Sequence, residues 1–294
     1  EERMRALAER YAAEIPCWEV INETLIDNGK TPLYYDKDVV GWSFDTARKY
    51  FPHNELIINE NAKNVYPGYA HNRSQYYMQI ERELARGRRI DGIGFQAHFM
   101  FGEEFRQKYA NPAFLDKFFD TYSEFGLLLQ LTEVTIPAVF GVYDGKTFEE
   151  RTAVDEEKQA KMLGRIYEYY FSLERAEAII YWNLTDGYAW HAEPGDMTAG
   201  ENVWRGGLVD FDGRRKPAYE VLNTLVNKTW RTQANVNSDK NGEARSRGFF
   251  GEYEIEAEIP AVGGSNGGAG GIKRKKFAVN FSKEEKEKEI ILQF

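Results

Sequence analysis

Five short apolar runs each end in polar or aromatic residues whose types could do chemistry together. Two glutamates at such ends suit the hydrolysis of a glycoside, because one carboxylic acid protonates the leaving oxygen while the other carboxylate attacks the anomeric carbon or activates water. Indole faces stack on sugar rings, and amides bond hydroxyl groups without adding charge. The candidate residues are Asn22, Glu23, Asn59, Gln96, His98, Glu133, Trp182 and Trp190.

Other chemistries have weaker support in the sequence. No set of His, Asp or Cys residues has the usual spacing of metal ligands, and no Ser-His-Asp arrangement can be assigned from residue order, so we expect neither a metal nor a cofactor. Single residues also have structural interpretations. Glu19 and Glu60 could be solvated or helix-capping carboxylates, and Trp18 favours a place in the core. The hypothesis of glycoside hydrolysis therefore depends on all five runs ending in suitable polar or aromatic residues.

The elements that must position these residues alternate between strands and amphipathic helices, which is the pattern of a parallel sheet. Several strands are apolar throughout, as expected where both faces are covered. Predicted strands span residues 16–21, 55–58, 92–97, 127–131 and 178–182, and predicted helices span residues 1–14, 39–50, 74–85, 112–124, 155–172 and 217–226.

Five parallel strands cannot close a barrel, whereas eight can. The pattern therefore predicts part of a (β/α)8 TIM barrel, in which side chains at the carboxyl ends of the strands share one mouth. A five-stranded doubly wound sheet is the alternative. It would need a phosphate-binding glycine loop at its switch point, and the sequence has none.

The pattern changes near residue 227. We expect a partial catalytic barrel over residues 1–227 and a small antiparallel β module over residues 228–294, with a flexible glycine-rich loop at 263–271. The predicted strands of the module span residues 230–237, 244–250, 253–259, 277–281 and 289–294.

Composition excludes some partners. The chain has 38 basic and 47 acidic residues, which gives a formal net charge of −9. This charge disfavours a nucleic-acid partner, because the sequence has no segregated basic patch to offset it. No apolar run is long enough to span a membrane. Cys17 is the only cysteine, so no disulfide can form within the chain.

Several of these segments resemble the motifs of a known family. Residues 18–23 read Trp-Glu-Val-Ile-Asn-Glu, residues 90–98 end in Gln-Ala-His, residues 129–134 read Leu-Gln-Leu-Thr-Glu-Val, and residues 182–190 begin Trp-Asn and end in Trp. In order and spacing they are similar to the fourth, sixth, seventh and eighth strand motifs of glycoside hydrolase family 10, the endo-β-1,4-xylanases. Residues 208–219 resemble the usual entry into the closing helix. The likeness covers about residues 1–227.

The resemblance implies barrel strands 4–8 and a retaining, double-displacement mechanism on xylan. Glu133 would be the nucleophile and Glu23 the acid/base, with their carboxyl groups about 5 to 5.5 Å apart. His98 would hold Glu133 and keep it ionised, with Gln96 supporting that network. Asn22 would bond the sugar 2-hydroxyl. Asn59 is expected to bind substrate, and Trp182 and Trp190 would wall the sugar at the cleavage point.

Two departures from the family pattern occur. Residues 59–62 read Asn-Glu-Asn-Ala where the family usually has Asn-Asp-Tyr-Asn, and Thr135 stands where an Asp is usual. The first three family strands normally supply Lys, Asn, His and Trp to the substrate site. We therefore expect the missing barrel part upstream or as a separate chain, as in gut-bacterial members that carry modules inserted after the third strand. The resemblance also implies a secreted, periplasmic or cell-surface protein.

Two alternative functions stay open at this point. One is a related retaining β-glycanase that prefers cellulose or mixed-linkage glucan. The other is a non-catalytic glycan-binding fragment, because an open sheet exposes its strand edges.

Overall fold

The chain forms two compact units, which cover Glu1–Leu225 and Val226–Phe294. The structure is a computed structural model, and it describes residues 1–26, 32–61, 65, 74–99, 111–140, 154–260, 272–283, 285 and 287–292. The first unit contains a parallel sheet with its helices. The second contains an antiparallel hairpin.

The sheet of the first unit has five parallel strands in the order β1-β2-β3-β4-β5. This confirms the predicted number of strands and their direction, while individual bounds differ by one to three residues. A doubly wound sheet would reverse its strand order at a switch point, and this sheet does not. The strands are β1 (Cys17–Asn22), β2 (Glu55–Glu60), β3 (Gly92–Phe95), β4 (Leu128–Val134) and β5 (Ala176–Tyr181).

Among the residues that the structure describes, six α-helices accompany the strands, close to the predicted positions. Side chains cap three of them: Ser74 accepts from the Tyr77 amide, Asn111 from the Ala113 amide and Asp155 from the Lys158 amide. The helices are α1 (Glu2–Tyr11), α2 (Val39–Tyr50), α3 (Gln75–Ala85), α4 (Pro112–Ser123), α5 (Glu156–Phe171) and α6 (Pro217–Thr224), and α6 continues as a π-helical turn over Leu225–Thr229.

The sheet is strongly curved, because side chains on its inner face reach across intervening strands. Gln130 of β4 donates to the Cys17 sulfur of β1 at 3.4 Å, and Asn59 of β2 donates to Glu133 of β4 at 3.2 Å. Flat neighbouring strands lie roughly 4.8 Å apart, so strands three places apart would be far out of reach. The concave face is the one expected for a segment of a barrel wall.

The helices cover the outer face through an aromatic cluster. Phe95 of β3 contacts Phe118 and Tyr122 of α4 at ring-centroid distances of 5.1 and 4.9 Å, and Tyr76 of α3 at 6.1 Å. The Tyr76 hydroxyl donates to the carbonyls of Ile58 and Gly94, both at 2.9 Å. The central strands are therefore tied to the helices by both packing and hydrogen bonds.

The second unit contains a long hairpin of β6 (Gly251–Pro260) and β7 (Ile272–Phe281). It includes the predicted strands at 253–259 and 277–281. The predicted strands at 230–237 and 244–250 are wrong, since no residue of either segment belongs to a β-ladder, and residues 289–292 form no strand either. The glycine-rich segment 263–271 and residues 293–294 lie outside the described residues.

Within the residues that the structure describes, no helix combines the length and apolar character needed to span a bilayer.

Candidate active site

Glu23 follows β1 directly and adopts a left-handed backbone conformation with φ 53°. This region is uncommon for residues other than glycine and is typical of functional turns. The Glu23 amide donates to the Asn59 carbonyl at 3.2 Å, and its carboxylate accepts from Gln96 Nε2 at 2.9 Å. Gln96 Nε2 also lies 3.2 Å from Asn22 Oδ1. The end of β3 therefore orients the carboxylate that follows β1.

Glu133 lies near the end of β4 with its side chain 15% exposed. One carboxylate oxygen lies 3.1 Å from His98 Nε2, and the other accepts from Asn59 Nδ2 at 3.2 Å. His98 is itself fixed by a 3.3 Å contact between its Nδ1 and Thr135 Oγ1. Both Glu133 oxygens are held, so its direction into the concave face is defined by neighbours on β2 and beyond β3.

A glycine leaves room for the bridge between Asn59 and Glu133. Thr132 Oγ1 donates to Asn59 Oδ1 at 2.8 Å, which turns the amide Nδ2 toward Glu133. These side chains cross β3 at Gly94, where an added Cβ would lie 2.6 Å from Asn59 Oδ1 and 3.0 Å from Thr132 Cγ2. Gly94 therefore carries no side chain because the hydrogen-bonded layer occupies that space.

The two predicted indoles lie beyond the end of β5. Trp182 is 43% and Trp190 is 62% exposed, so both present ring surface to solvent. Trp182 contacts His98 edge to face at 5.7 Å, and its indole N–H donates to Glu201 at 2.8 Å. Trp182 is thus connected to Glu133 through His98, whereas the Trp190 ring lies against His191 with the two ring planes inclined by 54°.

A third carboxylate belongs to this group. Glu19 of β1 is an exposed residue whose carboxyl group hydrogen bonds with Asn59. Desolvation raises the pKa of Glu19 to about 7, the charges of Glu133 and Glu23 add to the rise, and the Asn59 bond opposes it. Glu19 is therefore exposed, as predicted for a solvated carboxylate, and it also lies within electrostatic reach of Glu23 and Glu133.

Two sequence-based expectations differ from the contacts observed. Asn59 is only 1% exposed, and its amide is used by Glu133 and Thr132, so it supports a carboxylate and does not face the open mouth. The Gln96 side chain bonds Glu23 and Asn22, and only its backbone carbonyl meets Glu133, at the amide. The physical reason is the curvature of the sheet. It brings the end of β3 closer to the end of β1 than it would be in a flat sheet, so the Gln96 side chain reaches Glu23 across β2.

Some functional neighbours were missed by sequence reasoning. Glu60 is fully buried and accepts the amides of Leu25 and Asn61, so it is not solvated. Thr132 bonds Asn59 and Glu201 bonds Trp182, and no local sequence pattern predicts either contact. The one available signal was position, because Glu60 and Thr132 stand beside the named residues at strand ends.

The arrangement can perform acid/base and nucleophilic chemistry on a neutral, hydroxyl-rich ligand. It offers one carboxylate directly after β1 and one on β4, amides that fix them, and exposed indoles beyond β5. In the described part of the chain, no three His, Cys, Asp or Glu side chains gather as a metal-binding group. Paired carboxylates near the carboxyl ends of parallel strands are the groups that glycoside hydrolases of the barrel class use.

The chain belongs to glycosyl hydrolase family 10, whose family model matches residues 1–225. It is 28% identical over 235 residues to endo-1,4-beta-xylanase A of Caldicellulosiruptor saccharolyticus, which covers 75% of this chain and 64% of that protein. It is 25% identical over 235 residues to endo-1,4-beta-xylanase A of Halalkalibacterium halodurans, covering 74% and 55%. The chain thus spans between about half and two thirds of these relatives' length.

Solved structures show the same fold. Xylanase 10B from Thermotoga petrophila in complex with xylobiose superposes with a TM-score of 0.58 at 19% identity, covering 78% of this chain and 64% of that one. A thermostable mutant of a xylanase from Cellvibrio japonicus gives a TM-score of 0.58 at 22% identity, covering 76% and 69%. The five-stranded parallel sheet is therefore part of the TIM-barrel fold of the family.

Proposed function

We propose that this chain supplies the catalytic carboxylates of a retaining endo-β-1,4-xylanase that hydrolyses the xylan backbone by double displacement. Glu133 attacks the anomeric carbon of a xylosyl unit, and Glu23 protonates the departing oxygen and then deprotonates the incoming water. The observation that carries this proposal is the shared support of the two carboxylates. Asn59 accepts from the Glu23 amide through its carbonyl and donates to Glu133 through its side chain.

The supporting residues have matching roles in this mechanism. His98 and Asn59 hold both oxygens of Glu133, which keeps one lone pair directed at the sugar. Gln96 orients Glu23 by a 2.9 Å bond to one oxygen of its carboxyl group, and the protonated form of that group gives its proton to the glycosidic oxygen. Asn22 meets the sugar 2-hydroxyl, and the exposed faces of Trp182 and Trp190 contact the ring.

The substrate is xylan or a xylo-oligosaccharide, and the protein works outside the cytoplasm, in the periplasm, at the cell surface or secreted. Further βα units complete the barrel, corresponding to family strands 1–3, with this chain as strands 4–8. The support for completion is the state of the sheet edges. Within the described part of the chain, β1 and β5 each pair with a single neighbouring strand, and Ile180 of β5 is 50% exposed. Added strands would cover both edges and close the sheet.

The test compares substrates that differ in their need for acid catalysis. In the full-length protein, Glu23→Ala should lower kcat/KM on xylan far more than on 2,4-dinitrophenyl xylobioside, because a good leaving group departs without protonation. Glu174→Ala, which changes an exposed glutamate before β5, should alter neither. Equal losses on both substrates in Glu23→Ala would remove the acid role.

The same protein also separates the alternative functions. Faster hydrolysis of carboxymethyl-cellulose than of xylan would assign a different β-glycan. Binding of xylo-oligosaccharide by calorimetry without release of reducing sugar would assign a non-catalytic glycan-binding role.

A further inference from the structure

A fully buried carboxylate lies beneath the site and has no part in the proposed reaction. Glu60, the last residue of β2, is 0% exposed. Its Oε2 accepts from the Leu25 amide at 3.2 Å and its Oε1 from the Asn61 amide at 2.9 Å. Burying a carboxylate is costly unless hydrogen bonds replace its water, so these contacts are expected to be well maintained.

The Leu25 amide belongs to the turn that carries Glu23. Glu23 has a left-handed backbone, which an isolated turn would not hold without further contacts. The turn is fixed at three successive residues. The Glu23 amide bonds the Asn59 carbonyl at 3.2 Å, Thr24 Oγ1 exchanges hydrogen bonds with the Gln79 amide group of α3, and the Leu25 amide bonds Glu60.

These three contacts differ in what they can control. The Glu23 amide contact fixes only the backbone nitrogen of Glu23. The Thr24 contact is made to Gln79, whose long side chain can adapt if the turn moves. Of the three partners, Glu60 combines complete burial with a second bond, to the amide of Asn61 directly after β2, so it gives the turn a rigid reference point at the end of β2.

We infer that Glu60 is a positioning residue for Glu23: by holding the Leu25 amide, it fixes the turn so that the Glu23 carboxyl points at the leaving oxygen. This inference rests on the proposed role of Glu23 as acid/base. Glu60 does not touch substrate. Its loss should therefore weaken proton donation to the leaving group more than it weakens attack by Glu133, which is held separately by His98 and Asn59.

The experiment uses Glu60→Gln with Glu83→Gln as the matched control. Glu83 of α3 is equally buried, at 0% exposure, and it pairs with Arg82 and Arg88. A glutamine at position 60 keeps one oxygen and presents its NH2 to a backbone N–H, so one of the two bonds is lost.

Both variants are assayed in the full-length protein on xylan and on 2,4-dinitrophenyl xylobioside. Glu60→Gln should lower kcat/KM on xylan about tenfold and change kcat/KM on the activated substrate by less than about twofold. The reason is that the variant misplaces Glu23 as the proton donor, and only xylan needs protonation of its leaving group. Glu83→Gln should lower the melting temperature without changing the ratio between substrates. Equal losses on both substrates, or no loss on xylan, in Glu60→Gln would overturn the inference.

A second measurement needs neither a variant nor turnover. In the wild-type protein, the Leu25 amide should exchange with solvent deuterium slowly, at a rate similar to amides of β2, and rapid exchange would overturn the inference.

Assays of Glu23→Ala on the same two substrates separate the positioning role of Glu60 from the proposed function. A substrate-selective loss in Glu23→Ala without one in Glu60→Gln removes the positioning role alone, whereas a non-selective loss in Glu23→Ala removes the proposed function.

Discussion

His98 and Glu133 form one hydrogen-bonded unit, in which the imidazole Nε2 lies 3.1 Å from the carboxylate Oε2. Thr135 contacts the opposite ring nitrogen at 3.3 Å, and Trp182 packs edge to face against the imidazole. The imidazole is only 9% exposed, so its orientation is set by protein contacts. The family's usual aspartate is replaced here by Thr135, and a neutral hydroxyl takes that place beside His98.

Replacing His98 should impair attack on the sugar whatever the leaving group is. His98→Asn removes the bond to Glu133 Oε2 and lets the carboxylate turn, and a displacement of about 1 Å can cost roughly 100-fold in rate. We expect kcat/KM to fall by about that factor on both xylan and 2,4-dinitrophenyl xylobioside. His53→Asn, at an exposed histidine before β2, is the control. A loss confined to xylan would contradict the assignment.

Gly94→Ala tests the bridge across β3. The added methyl group would lie 2.6 Å from Asn59 Oδ1, so Asn59 must move away from Glu133. We expect a loss of about 1 to 3 kcal/mol in the free energy of unfolding from overpacking, and about tenfold lower kcat/KM on both substrates. Gly213→Ala meets nothing within 4 Å but has φ 86°, so it should cost stability only. Unchanged activity in Gly94→Ala would count against the bridge.

Glu19 should make folding less favourable as the pH rises. Its pKa is raised from the ordinary 4.5 to about 7, so the folded state holds the proton more tightly than the unfolded state. The contribution of this proton to stability is fully present below the pKa that Glu19 has in the unfolded chain. It is lost as the pH rises through the pKa that Glu19 has in the folded protein. Glu19→Gln keeps a neutral group at every pH.

Thermal unfolding checks this expectation between about pH 5 and about pH 8. The melting temperature of Glu19→Gln relative to wild type should rise across this range, while Glu174→Gln should follow wild type throughout. Parallel curves for wild type and Glu19→Gln would show that Glu19 titrates normally in the folded protein.

A buried ion pair holds the segment that follows the eighth-strand motif. Lys216 is 0% exposed, and its Nζ lies 3.1 Å from Asp186 Oδ2 and 2.7 Å from the Arg205 carbonyl. Burial lowers the pKa of Lys216 and raises that of Asp186, and the attraction between the two charges opposes both shifts.

Lys216→Met leaves the Asp186 carboxylate buried without its lysine. We expect a loss of roughly 3 to 5 kcal/mol in the free energy of unfolding, measured by urea denaturation. Lys161→Met, at an exposed lysine of α5, should change it little. A small loss in Lys216→Met would mean that Asp186 is satisfied by the Gly207 amide, which it accepts at 2.7 Å, and by other neighbours.

The parts of the fold that could be predicted are those with a local physical cause. Helix α2 begins and ends where predicted, at Val39 and Tyr50, because its apolar residues recur on one face. The apolar strands were recognised for the same reason, and their polar ends mark a mouth because all five run parallel. The candidate catalytic residues could therefore be named from the sequence.

Contacts between distant residues could not be predicted in the same way. The burial of Glu60 depends on the Leu25 amide, 35 residues earlier, and Gln96 turns toward Glu23 because the sheet curves. The segment at 230–237 contains β-branched and aromatic residues, yet it is largely exposed and forms no strand. Such residues favour strands only when a half-buried pleated surface is available to pack against.

Covalent trapping of Glu133 tests the central claim most directly. A 2-deoxy-2-fluoro-xylobioside with a good leaving group slows hydrolysis of the glycosyl-enzyme, so the sugar should remain on the nucleophile. Peptide mapping by mass spectrometry of the full-length protein should locate the label on Glu133, and Glu133→Gln should take up none. A label on Glu23, Glu19 or any other residue would contradict the account.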